Sequence, residues 1–254
     1  MMNLFYFIVF FLTLLTSGSQ AAKQPKNPAS AYFKICHRSN PDLSNCVRNT
    51  IEDLRPKLIK GIPDLEIVSL DPLNIPRLEF NDGNGNFRFK QILTNVTIHG
   101  LGNFQLKDIK VDLDSLTIDM VMQTPFMMFT ADYNMEGKIL LLPLTGKGDC
   151  VLNFTDVTTS SNTIIKLVER NGEEFLETEE LKWDISVEGC RLQFNNLFGG
   201  DKRLGETTNR FLNDNWREAF NTYRYLPEEA FGIVFKDFAN KVYQKFPSKE
   251  LFPE

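Results

Sequence analysis

The chain has 254 residues, 42% hydrophobic and 24% charged, which supplies a packed core and argues against wholesale disorder. With 28 Lys and Arg against 33 Asp and Glu the net charge is −5, and a nucleic-acid binder needs a basic face to displace counterions. There are two histidines, His37 and His99, so a His-rich metal site is excluded and Ser-His-Asp or Cys-His mechanisms have few places to sit. The unusual number is 22 Phe beside 2 Trp and 6 Tyr.

At the N-terminus an apolar run from Leu4 to Leu15 is followed by small residues as far as Ala22. This pattern predicts a signal peptide over residues 1–21, although no basic residue follows Met1. The run is shorter than the roughly 20 apolar residues of a membrane span, so stable membrane insertion is not expected. The mature chain, residues 22–254, is then read as one secreted, extracellular domain. In an oxidising compartment an even cysteine count reads as disulfides. Of the three pairings that four cysteines allow, Cys36–Cys46 and Cys150–Cys190 are preferred, the first closing a short loop and the second joining two strand-like segments. Asn95-Val96-Thr97 and Asn153-Phe154-Thr155 are glycosylation sequons, with Asn95 and Asn153 as acceptors.

Leu43, Val47, Ile51, Leu54 and Leu58 fall on one face of a helix ended by Gly61-Ile62-Pro63, and Pro56 should kink or shorten it. From about residue 65 to 195 the period changes to two, as in Ile109, Val111 and Leu113 or Leu181, Trp183, Ile185 and Val187. Leu116, Ile118 and Met120 continue in the opposite phase, which predicts a bend or bulge near Asp114-Ser115. Turn signals fall at Asp82-Gly83-Asn84-Gly85, Gly100-Leu101-Gly102, Glu136-Gly137 and Asn171-Gly172. The chain ends helically, first over Leu204 to Leu226, roughly 35 Å at 1.5 Å per residue, then from a restart at Pro227 to Phe246. So aromatic a helix needs a long apolar partner, and the dry face of the sheet is the one on offer. The expected fold is α+β: a strongly curved antiparallel sheet wrapped along a long C-terminal helix, with a tunnel inside.

No catalytic constellation survives inspection. Gly83-Asn84-Gly85, Gly100-Leu101-Gly102 and Gly146-Lys147-Gly148 lack the third glycine of a dinucleotide loop. Asp82, Asn84 and Asn86 mimic the first calcium ligands of a loop, but Phe87 and Leu93 stand where glycine and glutamate are needed. Asp112 and Asp114 share the solvated face of a strand. No enzyme activity, metal or cofactor is therefore expected. What remains is apolar: in Pro125-Phe126-Met127-Met128-Phe129 both strand faces are greasy. The ordinary explanation of any one such residue is core packing. In aggregate, Phe126, Met128, Phe129, Trp183, Phe220, Phe231, Phe235 and Phe238 are the candidate lining of a tunnel for a hydrophobic small molecule. Such a ligand gains about 0.8 kcal/mol per buried CH₂ before the cost of association.

Several segments carry a resemblance. The Cys36…Cys46 opening, Gly61-Ile62-Pro63 followed by Ser69-Leu70-Asp71-Pro72-Leu73, and Thr94-Asn95-Val96-Thr97-Ile98-His99-Gly100-Leu101 are three of them. Gly137 to Gly148, Asn195 to Asp201 and Phe211-Leu212-Asn213-Asp214-Asn215-Trp216 are the others. Together they resemble the insect takeout and juvenile-hormone-binding protein family over nearly the whole mature chain. The resemblance implies a tubular lipid-binding fold of the kind found in bactericidal/permeability-increasing protein. It implies a secreted carrier of juvenile hormone, fatty acids or other terpenoids, linked to feeding, circadian output and hormone or odour signalling. The second cysteine pair is similar to the hormone-binding branch. A monomer is expected, with a receptor of unknown identity as a further partner. The other function carried forward is lipid transfer at membrane surfaces.

Overall fold

Two strands too long to lie straight organise the molecule. The structure, a computed structural model, describes residues 27–82, 89–139 and 142–254. Strands β4 (Thr117–Ile139) and β5 (Leu142–Arg170) form an antiparallel hairpin, and β5 alone has 29 residues. At about 3.3 Å per residue it would extend roughly 95 Å, so the right-handed twist of the sheet must curl it around something. On one side of the hairpin β2 (Phe89–His99) pairs one half of β4 and carries β1 (Leu73–Asp82), while β3 (Gln105–Asp112) pairs the other half. On the other side β6 (Glu173–Ser186) and β7 (Gly189–Phe194) share β5 in the same manner. Every pairing is antiparallel, as the period-two sequence predicts.

An open sheet leaves edges with unpaired N–H and C=O groups, and those need partners. Helices provide them through side chains. Helix α1 (Leu43–Lys60) covers β3: the Val111 N–H donates to Ser44 Oγ at 2.9 Å, and Arg48 donates to the Leu106 carbonyl at 2.6 Å. The C-terminal stretch forms α2 (Lys202–Asp214), α3 (Trp216–Tyr223) and α4 (Tyr225–Lys245). In α2, Asn209 acts as the next strand for β7. It accepts the Phe194 N–H at 2.9 Å and donates back to the Phe194 carbonyl at 2.9 Å. One turn on, Asn213 does the same for Leu192, at 2.9 and 2.8 Å. Along β6, Asn240 accepts the Thr178 N–H and Glu228 the Ile185 N–H, while Lys236 donates to the Glu179 carbonyl. The gutter is thus roofed by helices, with one apolar cluster around Leu73, Tyr133 and Leu212 and another around Leu65, Ile165 and Phe246.

Four expectations are corrected. The phase change near Asp114-Ser115 is the β3–β4 hairpin turn itself, where the Asp112 carboxylate accepts the Asp114 and Ser115 N–H groups at 2.9 Å each and Leu116 adopts a φ of 55°. Those bonds hold the Asp112 carboxyl below its ordinary range. Glu136-Gly137 is not a turn but lies inside β4. Helix α1 is not shortened by Pro56, whose exposed ring sits within an 18-residue helix. The first C-terminal helical stretch, read as Leu204 to Leu226, is not one rod. It breaks at Asn215 and again at Arg224, just where Pro227, lacking an N–H, cannot bond the Tyr223 carbonyl. By contrast Asn171-Gly172 does turn β5 into β6, with φ values of 54° and 79° that suit a tight hairpin. The segment Gly83 to Asn86 and residues 1–21 lie outside the described residues.

Candidate functional site

Inside the gutter the inward faces of the strands and the apolar stripes of the helices do not meet, and two cavities remain. The larger, of about 420 Å³, runs between β3–β6 and the helices α1 and α4. Its roof includes Val47, Ile51, Leu54 and Leu58, the one-sided stripe read from the sequence of α1. The smaller, of about 230 Å³, lies under α2, α3 and the start of α4, on the inward faces of β1, β2, β5 and β7. Both walls are overwhelmingly aliphatic and aromatic, as expected of sites that bury most of a small ligand.

The two cavities share Met127, Phe154, Phe220, Pro227 and Phe231, which form a septum between them. The Phe154 and Phe220 ring centroids lie 6.2 Å apart across it. The septum has a backbone cause. On β4 the inward positions are Met120, Met122 and Thr124, then Met127, Phe129 and Ala131. On β5 they are Leu152 and Phe154, then Val157 and Thr159. Both strands therefore change phase at one place, Pro125 on β4 and Asp156 on β5, the latter at a φ of 49°. A proline inside a central strand is tolerated only at such an irregularity.

That kink decides the fate of the predicted lining. Trp183, Phe235 and Phe238 line the larger chamber, Phe129 the smaller, and Phe220 and Phe231 both. Trp183 and Phe235 stack at 4.9 Å, and Phe235 meets Phe238 edge-on at 5.6 Å. Phe126 and Met128 are elsewhere: Phe126 is 47% exposed on the outside, and neither touches a chamber. Met127 takes their place, because the phase shift turns it inward. Missed as well were Phe154, the α1 stripe as lining, and Tyr243. Pro125 was the available signal for Met127. Tyr243 lines the larger chamber, and burial pushes its phenol up to about 12, so it is neutral near pH 7. The histidines lie outside: His37 Nδ1 meets the Glu254 carbonyl at 2.7 Å, and His99 is exposed.

Of the cysteines, Cys36 and Cys46 form a disulfide. The pairing Cys150–Cys190 is not made. Cys150 stands opposite Phe194 and Cys190 opposite Phe154, so the two thiols are four residues out of register on neighbouring strands. Four residues of strand is roughly 13 Å, beyond the reach of a disulfide. Burial pushes both thiols up to about 12. The sequon residue Asn95 is exposed at a β-bulge, with a φ of 53° and its side-chain amide on Asp132 at 2.6 Å. Asn153 is half-buried opposite Met128 and Arg191.

An apolar bore under a curled sheet is a recognisable architecture, and residues 8–253 match the family described as haemolymph juvenile hormone binding protein. The chain belongs to that family. The juvenile hormone binding protein family is one of hydrophobic ligand binding, not one defined by catalysis. The circadian clock-controlled protein daywake of Drosophila yakuba is 26% identical over 201 residues, covering 76% of this chain and 77% of that protein. Daywake of Drosophila melanogaster is 24% identical over 200 residues, with 76% and 77% covered. The fold is that of the crystal structure of Takeout 1 from Epiphyas postvittana, at a TM-score of 0.74 and 22% identity, covering 87% of this chain and 99% of that one. In this member of the juvenile hormone binding protein family, no described helix is long and apolar enough to cross a membrane.

Proposed function

We propose that this protein is a secreted, monomeric carrier that holds one elongated hydrophobic molecule, of the juvenile hormone, fatty acid or terpenoid kind, in its larger chamber. The observation that carries this reading is the apolar cavity of about 420 Å³, roofed by α1 and α4. Pockets for small ligands fall between about 300 and 1,000 Å³. A ligand there is shielded from water along its length, and its affinity comes from buried apolar area. The aromatic ladder of Trp183, Phe231, Phe235 and Phe238 offers rigid walls, and Met120 and Met122 adaptable ones. The N-terminal apolar run supports export, the daywake likeness supports a place in rhythmic signalling through an unidentified receptor, and the Cys36–Cys46 disulfide fits an oxidising compartment. Asn95 and Asn153 are the acceptors proposed for glycans.

The test is titration of the mature protein with a fluorescent long-chain probe, followed by displacement with juvenile hormone analogues, fatty acids and terpenoids. Saturable binding at one probe per chain, at low micromolar concentration or below, is the expected result. A probe that partitions without saturation, or moves between vesicles without being retained, contradicts the carrier and favours lipid transfer at membrane surfaces.

A further inference from the structure

The larger chamber is largely apolar, with Lys34, Thr50, Thr124 and Tyr243 as scattered polar lining and one polar line along its floor. Beyond the kink at Asp156 the inward face of β5 presents Val157 and then Thr159, Ser161 and Thr163 in succession. Opposite them on β6 stand Ile185, Trp183 and Leu181 in the same register, so Ser161 faces Trp183 directly. Thr159 and Thr163 line the cavity, and their hydroxyls bond to none of the described residues. Ser161 Oγ and Trp183 Nε1 are buried and have no hydrogen-bond partner either. Native structures satisfy nearly all buried polar groups, so two buried unpaired ones beside two cavity-lining threonine hydroxyls, on adjacent strands of one wall, require a reason.

Their chemistry narrows it. The indole N–H can only donate, and hydroxyls can donate or accept, so what the line lacks is an acceptor. Among the described residues, nothing on the sheet floor around it is cationic. Lys34 is the charged side chain among the described residues on the wall of this chamber, and it is exposed, on the segment before α1 that also carries Phe33 and the buried Cys36. An ionised carboxylate placed at the threonines would have no counter-charge on the sheet floor beside it, and burying it so is costly.

We propose that Thr159, Ser161, Thr163 and Trp183 form a polar subsite that selects a neutral ligand bearing a hydrogen-bond-accepting oxygen, an ester, ketone or ether, over a hydrocarbon or an ionised acid of equal length. This rests on the carrier reading above and specifies the chemistry of its cargo. The oxygen takes hydrogen bonds from the threonine hydroxyls that line the cavity. A small shift of the indole against Phe231 and Phe235 lets Trp183 join them. The apolar arms of the ligand extend along the aromatic ladder on one side and the methionines of β4 on the other. Ligand discrimination in this chamber is then set by β5, a strand whose sequence from Thr158 to Thr163 reads as an ordinary polar stretch.

The experiment compares three probes of one chain length, a methyl ester, the corresponding hydrocarbon and the free acid, each displacing the same fluorescent reporter at pH 8. The wild type and the doubly substituted variant Thr159→Val, Thr163→Val are measured side by side. The wild type is expected to bind the ester about tenfold more tightly than the hydrocarbon and more tightly than the acid, on the scale of one or two net hydrogen bonds. The double variant loses that preference and holds the hydrocarbon as well as before, which a merely structural loss would not allow. Equal binding of ester and hydrocarbon by the wild type overturns the proposal while leaving the carrier intact, and means that water satisfies the four groups. Tighter binding of the acid also overturns it and moves the anchor to Lys34. Failure of all three probes to displace the reporter overturns both readings. Should the double variant misfold, the wild-type ranking still decides.

Discussion

The two chambers are separated by one septum and sealed by one kind of device, yet they differ in what they can do. The smaller is walled by β1, β2, β7 and the short helices α2 and α3, and the inward side chains of β5 there are Leu152 and Phe154. The larger lies beyond the kink, where the same strand offers Thr159 and Thr163 and the roof is the long helix α4 with α1. The difference shows that a single strand can serve two environments when a bulge resets its phase: residues on either side of Asp156 answer to separate packing problems. It also assigns roles. The larger chamber has the volume and the polar line of a specific site, and the smaller one has apolar room for the remainder of a long ligand.

The largest effect should come from filling one chamber at a time. Ala239 lines the larger and Ala230 the smaller, both on α4. Ala239→Trp is expected to weaken ester binding at least about 100-fold, close to 3 kcal/mol, and Ala230→Trp less than about fivefold. Displacement titration reads both, with thermal melts to confirm folding. Equal losses would mean that the chambers act as one site.

Next in size is the seal of the smaller chamber. Asn209→Leu removes both partners of Phe194 and leaves a buried N–H and C=O unpaired. The expected cost is about 2–4 kcal/mol, a fall in Tm of several degrees in a protein of this size. Asn240→Leu strips β6 of one N–H partner, that of Thr178, and should cost about half as much. A melt of Asn209→Leu indistinguishable from wild type would show that the edge is not held this way.

How much of this could be read beforehand divides along the same line. The α1 stripe, the period-two strands and the aromatic face of α4 were legible, because each buries one side of a regular element and the period survives in the residues. The septum was not, since Phe126 and Met128 carry as apolar a signature as Met127, and only Pro125 hinted that the alternation slips there. Asn209 and Asn213 were equally opaque. Polar residues mid-helix read as solvated, and their task as a substitute strand exists only once α2 lies against β7. The register of Cys150 and Cys190 is likewise a property of the assembled sheet.

A smaller effect is expected at the septum itself. Phe220→Ala should join the chambers and shift the preferred ligand to longer chains by roughly fivefold. Its stability cost should fall below the about 3–5 kcal/mol of a close-packed Phe→Ala change, because empty space already borders the ring on both sides. Comparing chain-length series for the two proteins checks this, and an unchanged series would show that the partition is open in solution.

The smallest effect concerns the two thiols, one in each hydrophobic setting near the smaller chamber. Both are raised by burial, so the folded state keeps its protons longer than the unfolded chain. The resulting stability is complete below the ordinary thiol value near 9 and is lost as pH rises toward about 12. Native protein at pH 8 should leave Cys150 and Cys190 unlabelled by iodoacetamide over hours, with both labelling at once in denaturant. Rapid labelling of either in the native state would show that this end of the bore opens to solvent.

Whether the bore holds a greasy passenger can be read from native mass spectrometry of the protein secreted by insect cells. The expected result is a mass excess of one neutral, oxygen-bearing lipid per chain, released on denaturation and absent from the Ala239→Trp variant. A secreted protein that flies at its bare mass, and still binds no added ester, hydrocarbon or acid, would contradict it.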